Sequence, residues 1–251
     1  MSTPISMTAA IAAFACGTRA PPASALAVLK LSLLDWSAVS LAGKDEPVSS
    51  IVRAMVQDEA GRGEASIIGL AGLYPARAAA LANGTISHAL DYDDTHFSYV
   101  GHPSVVIFPA ALAVAEKTGA SGEAFMAAAL IGMEAACRIG AWLGTGHYQH
   151  GFHQTATSGA FGATVAAGRL LGLDEERMRH ALGIVATRAS GLKSQFGTMG
   201  KPFNAGIAAS NGVEAALLAK AGFVSRPDGL ECAQGFAETH AAEGKDRKSV
   251  V

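Results

Sequence analysis

The sequence predicts an all-α protein, built as one compact multi-helix domain. Half of its 251 residues are apolar and only 16% are charged, so the chain can bury a large core. It contains 29 glycines and only 6% aromatic residues, a composition that suits helices packed closely over small side chains. Helical periodicity recurs between short Gly, Pro and Asp turns, and no segment shows the sustained alternation of a half-buried strand.

Eight segments carry the helical pattern. The first covers residues 24–41: it follows Pro21 and Pro22, has Ser24 as its expected N-cap, and stops before Gly43. The others each end at a glycine or a polar turn, and they cover residues 48–59, 74–90, 105–117, 122–143, 157–171, 174–187 and 204–221. We expect strands only in short connectors such as residues 66–69.

The domain organisation follows from the absence of internal repeats and linkers in residues 1–245, which favours a single domain. The last six residues, 246–251, read DRKSVV and look like the translation of a common sequencing-adapter read. We therefore expect a non-native tail and a native reading frame that was cut near Lys245.

Charge and cysteine content exclude several classes of protein. The formal net charge is -2 and no long Lys/Arg run occurs, so no nucleic-acid surface is indicated. Cys16, Cys137 and Cys232 are too scattered for a disulfide framework or a zinc site. The N-terminus lacks a basic start, and no stretch of about 18 uninterrupted apolar residues occurs. We expect a soluble, cytoplasmic protein that binds neither nucleic acid nor membrane.

The densest group of ionisable residues is the segment 88–96, HALDYDDTH, followed by His102-Pro103. Like charges this close cost stability unless something pairs with them, which favours a functional interpretation. The structural alternative is that Asp93 and Asp94 cap the following segment and that His88 is a core histidine.

A second cluster spans residues 151–159 and leads into a helix rich in small residues. Thr155 or Thr157 is the expected cap, which would leave His153 beside a helix N-terminus, where backbone N–H groups favour an anion such as a carboxylate. The alternative is an exposed loop histidine.

A third cluster, residues 196–206, is a glycine loop that delivers Lys201 just ahead of a helix. Lys201 and free backbone amides can face one ligand there. The loop is not a phosphate-binding P-loop, because Pro202 stands where Ser or Thr should follow the lysine. The alternative is a solvated lysine in a turn.

Taken in order, these segments resemble the MmgE/PrpD family, which includes 2-methylcitrate dehydratase, cis-aconitate decarboxylase and an iminodisuccinate epimerase. The resemblance covers about residues 5–240. The motifs that carry it are Asn83-Gly84, residues 88–95, His102-Pro103, residues 151–155, residues 197–202, Leu230-Glu231 and Gly235-Phe236. Each motif is weak alone, but the ordered set is specific.

The resemblance implies the family's all-helical N-terminal domain, a pocket for a small polycarboxylate, and no cofactor or metal. The residues that fall on the family's active-site positions are Asp91, Thr95, His102, His153 and Lys201. The family generally forms homodimers and adds a smaller α+β lid domain, which nothing after Glu243 can supply. We therefore expect this chain to be a truncated and poor catalyst, with an apolar face left exposed.

The chemistry of such a lyase sets the expected roles. Removing water from a citrate-like substrate needs a base, an acid and cations that hold carboxylates. We expect His102 to transfer the proton, and His153 and Lys201 to bind and polarise carboxylates. Asp91 would orient a histidine, and Thr95 would donate a hydrogen bond to the substrate.

The motifs indicate the family of reactions more clearly than the individual reaction. Dehydration of 2-methylcitrate is the first choice because it is the family's familiar activity, followed by decarboxylation or epimerisation. The segment between Thr95 and His102 is about one residue longer than in the decarboxylase branch, which counts against decarboxylation.

Two other classes of protein stay open. One is an inactive ligand-binding fragment. The other is a metal-dependent hydrolase, which lacks an HExxH spacing and would use His88, Asp91, Asp93, Asp94, His96 and His102.

Overall fold

The computed structural model describes residues 6–18, 20–59 and 61–241, and this part of the chain is mostly helical. Its α-helices are α1 (Met7–Cys16), α2 (Ala23–Gly43), α3 (Pro47–Glu59), α4 (Ala76–Ser87), α5 (Ser104–Thr118), α6 (Gly122–Gln149), α7 (Gln154–Leu170), α8 (Glu175–Ala186), α9 (Gly200–Lys220) and α10 (Phe236–His240). Two short strands, β1 (Ala65–Ser66) and β2 (Leu73–Tyr74), pair in antiparallel register, with Ala65 opposite Tyr74. The all-α prediction is confirmed.

Helix α7 lies at the centre of the domain. Every residue from Gln154 to Gly168 is buried, and the helix packs against α5, α6 and α9. The approach to α6 depends on small residues, because a Cβ on Gly162 would lie 2.5 Å from the carbonyl oxygen of Gly132. Close packing over small side chains, expected from the composition, is thus how the core is built.

Several predicted helix ends are wrong, and the clearest differences lie in α2, α4, α6 and α9. Helix α2 begins at Ala23 with Pro22 as its N-cap, so Ser24 is not the cap. Helix α6 continues to Gln149 through a kink at Gly144, where φ is 72° and ψ is 177°. Helix α9 begins at Gly200, which places Pro202 in its first turn. Proline lacks a backbone N–H, but in the first turn that N–H would have no partner within the helix, so Pro202 does not interrupt it. Tyr74 belongs to β2, and α4 starts only after Pro75.

Helix α1, which the sequence pattern did not predict, is tied to the far end of the described chain by Glu231. One Glu231 carboxylate oxygen accepts hydrogen bonds from the backbone N–H of Thr8 at 3.0 Å and from its hydroxyl at 2.5 Å. The other oxygen accepts from the hydroxyl of Ser6, whose oxygen also caps the N–H of Ala9 at 3.2 Å. Glu231 therefore satisfies the backbone N–H of Thr8 directly and holds the Ser6 hydroxyl that caps Ala9.

Helices α2 and α6 are both long and apolar enough to cross a membrane, judged by length and composition alone. The same criterion selects core helices of soluble proteins, and α2 does contribute Leu29 and Trp36 to the core. It also exposes Leu31 and Leu34, each at 67%. The cytoplasmic location stays a prediction.

The expected non-native tail, residues 246–251, lies outside the described residues. The three cysteines are free thiols.

We predict that the Glu231→Gln substitution lowers the free energy of unfolding by about 1.5–3 kcal/mol, because charged hydrogen bonds to the start of α1 are weakened or lost. Urea denaturation of both proteins measures the difference. The control is Glu134→Gln, which removes a surface pair with Arg138 at 2.8 Å and should cost at most about 0.5 kcal/mol. Equal destabilisation by the two substitutions would contradict the role of Glu231.

Candidate active site

The predicted site residues line two adjoining cavities. A cavity of about 220 Å³ is bordered by residues that include Thr95, His102, His153 and Lys201. A second cavity of about 370 Å³ is bordered by Asp91 and again by Lys201. The structure thus brings together all five residues named from the sequence, although they come from separate parts of the chain.

Helix ends explain this convergence. Asp91 follows the end of α4, His102 precedes α5, His153 is the N-cap residue of α7, and Lys201 lies in the first turn of α9. The N-terminal ends of α5, α7 and α9 therefore contribute to one region. Helix N-termini carry partial positive charge and free N–H groups, so this region favours an anion.

A buried carboxylate, Asp93, joins two histidines. Its side chain is 0% exposed, and its Oδ1 lies 2.8 Å from Nδ1 of His88. Its Oδ2 lies 2.9 Å from Nδ1 of His102, an ion-pair distance, although the geometry of this contact is not that of a regular hydrogen bond. Burial acts to raise the pKa of Asp93, but the hydrogen bonds from His102 and His88 outweigh it and hold that pKa well below the usual range. Asp93 is therefore ionised near neutral pH.

The surroundings of His102 raise its pKa, in contrast to the lowered pKa of Asp93. Burial acts to lower its pKa, but the hydrogen bond and negative charge of Asp93, together with the charge of Asp91, raise the pKa above the ordinary histidine value. Its Nδ1 faces Asp93, and its Nε2 lies 3.6 Å from Oδ1 of Asp91. The ring therefore holds a proton readily and presents Nε2 to the exposed side of the site.

Asp91 links His102 to Lys201. Its Oδ2 forms an ion pair with the Lys201 ammonium group, and half of its side chain remains exposed. Its backbone has φ of 57°, a left-handed conformation that is uncommon for residues other than glycine and better tolerated by Asp and Asn. Such strained residues cluster at functional sites, where the surrounding structure holds them.

His153 is the neutral member of the group. Burial, followed by the nearby charges of His88 and Lys201, lowers the pKa of His153 to about 3. Its ring meets the edge of Phe196, with ring centroids 5.0 Å apart. At neutral pH this histidine therefore contributes one hydrogen-bond donor and one acceptor, without a charge.

The expected capping of α7 by Thr155 or Thr157 is wrong, because both residues lie inside the helix. The hydroxyl of Thr155 instead accepts the backbone N–H of His102 at 3.1 Å. The hydroxyl of Thr157 pairs with Nε2 of the buried His147 at 2.8 Å. The first of these contacts ties the start of α7 directly to the His102 segment.

The acidic run contains both structural and site residues. Asp94 accepts from the backbone N–H of Ser104 at 3.2 Å and from its hydroxyl at 2.5 Å, so it caps α5 as the structural alternative proposed. Asp93 does not cap a helix, and His88 is buried against it. No role in the lyase site was predicted for Asp93 or His88, although an acid with a histidine on either side of it in the sequence, His88 and His96, was a signal that could have indicated one.

The possibility of a metal ion can be tested against the same contacts. Ligand atoms of His88, Asp91, Asp93 and His102 all lie within 4.8 Å of one another. Asp94 and His96, the other residues of the hydrolase alternative, make separate contacts with Ser104 and with the backbone N–H of Tyr99. A divalent cation at Asp91 would compete with the Lys201 ammonium group, so the donor set is better described as an ion-pair network.

The cavities are open and partly apolar. Phe97 and Phe196 line the first and Met199 lines the second, and their exposed fractions are 92%, 36% and 49%. An apolar rim beside charged groups is therefore accessible to solvent in the described part of the chain. The lid domain expected from the resemblance stays a prediction.

Comparison with known proteins gives a consistent assignment. The family model described as the MmgE/PrpD N-terminal domain matches residues 9–248. A cis-aconitate decarboxylase-like protein of Aspergillus oryzae is 33% identical over 235 residues, which cover 90% of this chain and 49% of the relative. Cis-aconitate decarboxylase of Aspergillus terreus is 34% identical over 222 residues, which cover 85% of this chain and 45% of that enzyme.

The human cis-aconitate decarboxylase is 31% identical over 172 residues, which cover 66% of this chain and 36% of the enzyme. The chain thus spans about half the length, or less, of the curated relatives that it matches. Because the family model extends over nearly the whole sequence, the chain belongs to the MmgE/PrpD family, of which it carries the N-terminal domain.

Proposed function

We propose that the two adjoining cavities form the substrate pocket of a cofactor-independent lyase that acts on small polycarboxylates. The observation that carries this proposal is the meeting of His102, His153 and Lys201 at the N-terminal ends of three helices. A compound with several carboxylates suits this arrangement, because the lysine, a readily protonated histidine and helix N-termini all favour negative charge.

The relatives favour decarboxylation over dehydration. The three relatives described above are named for cis-aconitate decarboxylase, at 31–34% identity. The first choice from the sequence, dehydration of 2-methylcitrate, depended on the family's familiar activity, and the longer segment between Thr95 and His102 counted against decarboxylation. The identity to named decarboxylases outweighs both arguments. We therefore propose cis-aconitate, or a closely similar unsaturated tricarboxylate, as the substrate.

Decarboxylation of such a substrate makes defined demands. The bond between a carbon atom and one carboxylate breaks, CO2 leaves, and the electron pair spreads over the adjacent double bond and a neighbouring carboxylate. A proton must then reach carbon. His102 is suited to supply it from Nε2, because Asp93 stabilises its protonated form.

The remaining residues would hold the substrate. The Lys201 ammonium group has three N–H donors, of which the pair with Asp91 need occupy only one or two, so it can also bind a substrate carboxylate. His153 would donate a neutral hydrogen bond, and Thr95 would donate its hydroxyl. Charge that develops on a carboxylate during the reaction would be stabilised by groups already fixed in place.

The homodimer of the full-length protein and the covering lid domain remain expectations from the family resemblance. They bear on the rate, because a pocket open to water leaves carboxylates hydrated and weakens electrostatic stabilisation. The two cavities are open among the described residues, so we propose that they bind polycarboxylates measurably and that turnover rises when the pocket is covered.

The direct test supplies purified protein with cis-aconitate, 2-methylcitrate or citrate in the presence of a chelator, and follows CO2 release and product formation by NMR spectroscopy. We predict that cis-aconitate is decarboxylated, and that His102→Ala lowers the rate by about 10²–10⁴-fold through loss of the proton donor. The control, His180→Ala, changes a histidine on α8 that contacts Ser225 and should retain activity. Faster loss of water from 2-methylcitrate, or full activity of His102→Ala, would contradict the proposal.

The pH dependence provides a second prediction. If protonated His102 donates the proton, kcat/KM falls only as the pH rises through its raised pKa, so the alkaline limb lies above about 6.5, the ordinary value. Asp93→Asn removes the charge that favours the protonated form, and we predict that the limb shifts to lower pH by about one unit or more. Asp174→Asn, at the N-cap of α8, is the control. An unchanged limb in Asp93→Asn would show that Asp93 does not tune His102.

A further inference from the structure

We propose that Asn204 is a positioning residue that holds His153 in the neutral form with its proton on Nε2, so that an N–H donor faces the substrate cavity. The inference rests on the proposed function for the meaning of the cavity. The position of the proton, however, is a property of the protein without any ligand.

The orientation of the Asn204 amide follows from its two contacts. Asn204 is buried on α9, and its Nδ2 lies 3.2 Å from Nδ1 of His153 and 3.4 Å from the carbonyl oxygen of Leu192. A backbone carbonyl only accepts hydrogen bonds, so the amide must turn its NH2 group towards Leu192. The opposite orientation would place Oδ1 of Asn204 against the carbonyl oxygen of Leu192, with no hydrogen between them.

The same NH2 group fixes the tautomer of His153. Because Nδ2 of Asn204 carries only donors, Nδ1 of His153 must accept, and the ring proton of a neutral imidazole then lies on Nε2. A proton added to Nδ1 would place two donors face to face. This contact therefore acts in the same direction as burial, which lowers the pKa of His153.

Backbone hydrogen bonds hold His153 against the segment that carries Leu192. The N–H of His153 donates to the carbonyl oxygen of Gly191 at 2.9 Å, and the N–H of Lys193 donates to the carbonyl oxygen of Gly151 at 2.8 Å. Gly191 has φ of 136°, and a Cβ there would lie 2.7 Å from Cβ of Ala156. Glycine is thus required where the chain passes His153.

The other ring nitrogen, Nε2, is left available to the cavity that His153 lines. His153 lines the cavity of about 220 Å³ together with His102 and Lys201. Within the described residues, no hydrogen bond involves its Nε2. The site would then contain two histidines in different protonation states. The carboxylate of Asp93 favours the protonated form of His102, while the amide of Asn204 keeps His153 neutral with a donor at Nε2. The site therefore does not have to bury a second cation.

The test measures histidine side-chain nitrogens by long-range ¹H–¹⁵N NMR on ligand-free, ¹⁵N-labelled protein near neutral pH. The His153 signals are identified by their loss in His153→Gln. We expect an unprotonated Nδ1 and a protonated Nε2 in the wild-type protein. Asn204→Asp offers an acceptor at the same position, so we expect the proton on Nδ1, or the doubly protonated ring.

The control is Asn211→Asp, the same change on the same helix, where the amide contacts Arg188 instead; it should leave the His153 signals unchanged. A wild-type His153 with its proton on Nδ1 would overturn the proposal without any variant. An Asn204→Asp protein that keeps the wild-type pattern would also overturn it.

Affinity for cis-aconitate separates this inference from the proposed function. Asn204→Ala should weaken binding by roughly three- to tenfold, because part of the His153 population would lose its donor at Nε2. Failure of the wild-type protein to bind cis-aconitate would count against the proposed function alone, since the tautomer is measured without ligand. Binding by the wild-type and Asn204→Ala proteins with equal affinity would contradict the positioning role.

Discussion

The candidate site depends on one buried carboxylate shared by two imidazole rings. Asp93 has no exposed side-chain surface, and an isolated ion at that position would be very costly. It persists as a carboxylate because His88 and His102 each direct Nδ1 at it. The contact connects the end of α4 with the segment before α5, and it determines both the orientation and the charge of His102.

The rest of the site follows from this arrangement. Once Nδ1 of His102 is engaged, Nε2 is left towards Asp91, whose other oxygen binds Lys201. His153 lies where the positive charge of its neighbours and its own burial keep it neutral. The pKa of His102 is raised and the pKa of His153 is lowered, although both line one pocket. His102 is thereby suited to donate a proton and His153 to bind as a neutral group, and enzyme active sites commonly assign such roles by opposite pKa shifts.

Much of this architecture could be predicted from the sequence, because helical periodicity and Gly/Pro turns delimit α2 to α9 to within six residues at every end. The concentration of charge in residues 88–102 is visible without the resemblance to the family. The run of Asp91, Asp93 and Asp94 does not reveal which acid is buried, since that depends on the left-handed turn at Asp91. The partnership of Asn204 with His153 depends on a third segment, at Leu192, and therefore on tertiary packing.

The proposed function requires that His102, His153 and Lys201 bind one polycarboxylate together. The most direct measurement is an NMR titration of isotopically labelled protein with cis-aconitate, in which the side-chain signals of these three residues are followed. We expect all three signals to shift and to saturate with a single dissociation constant. Shifts confined to one of the three residues, or three different dissociation constants, would contradict this requirement.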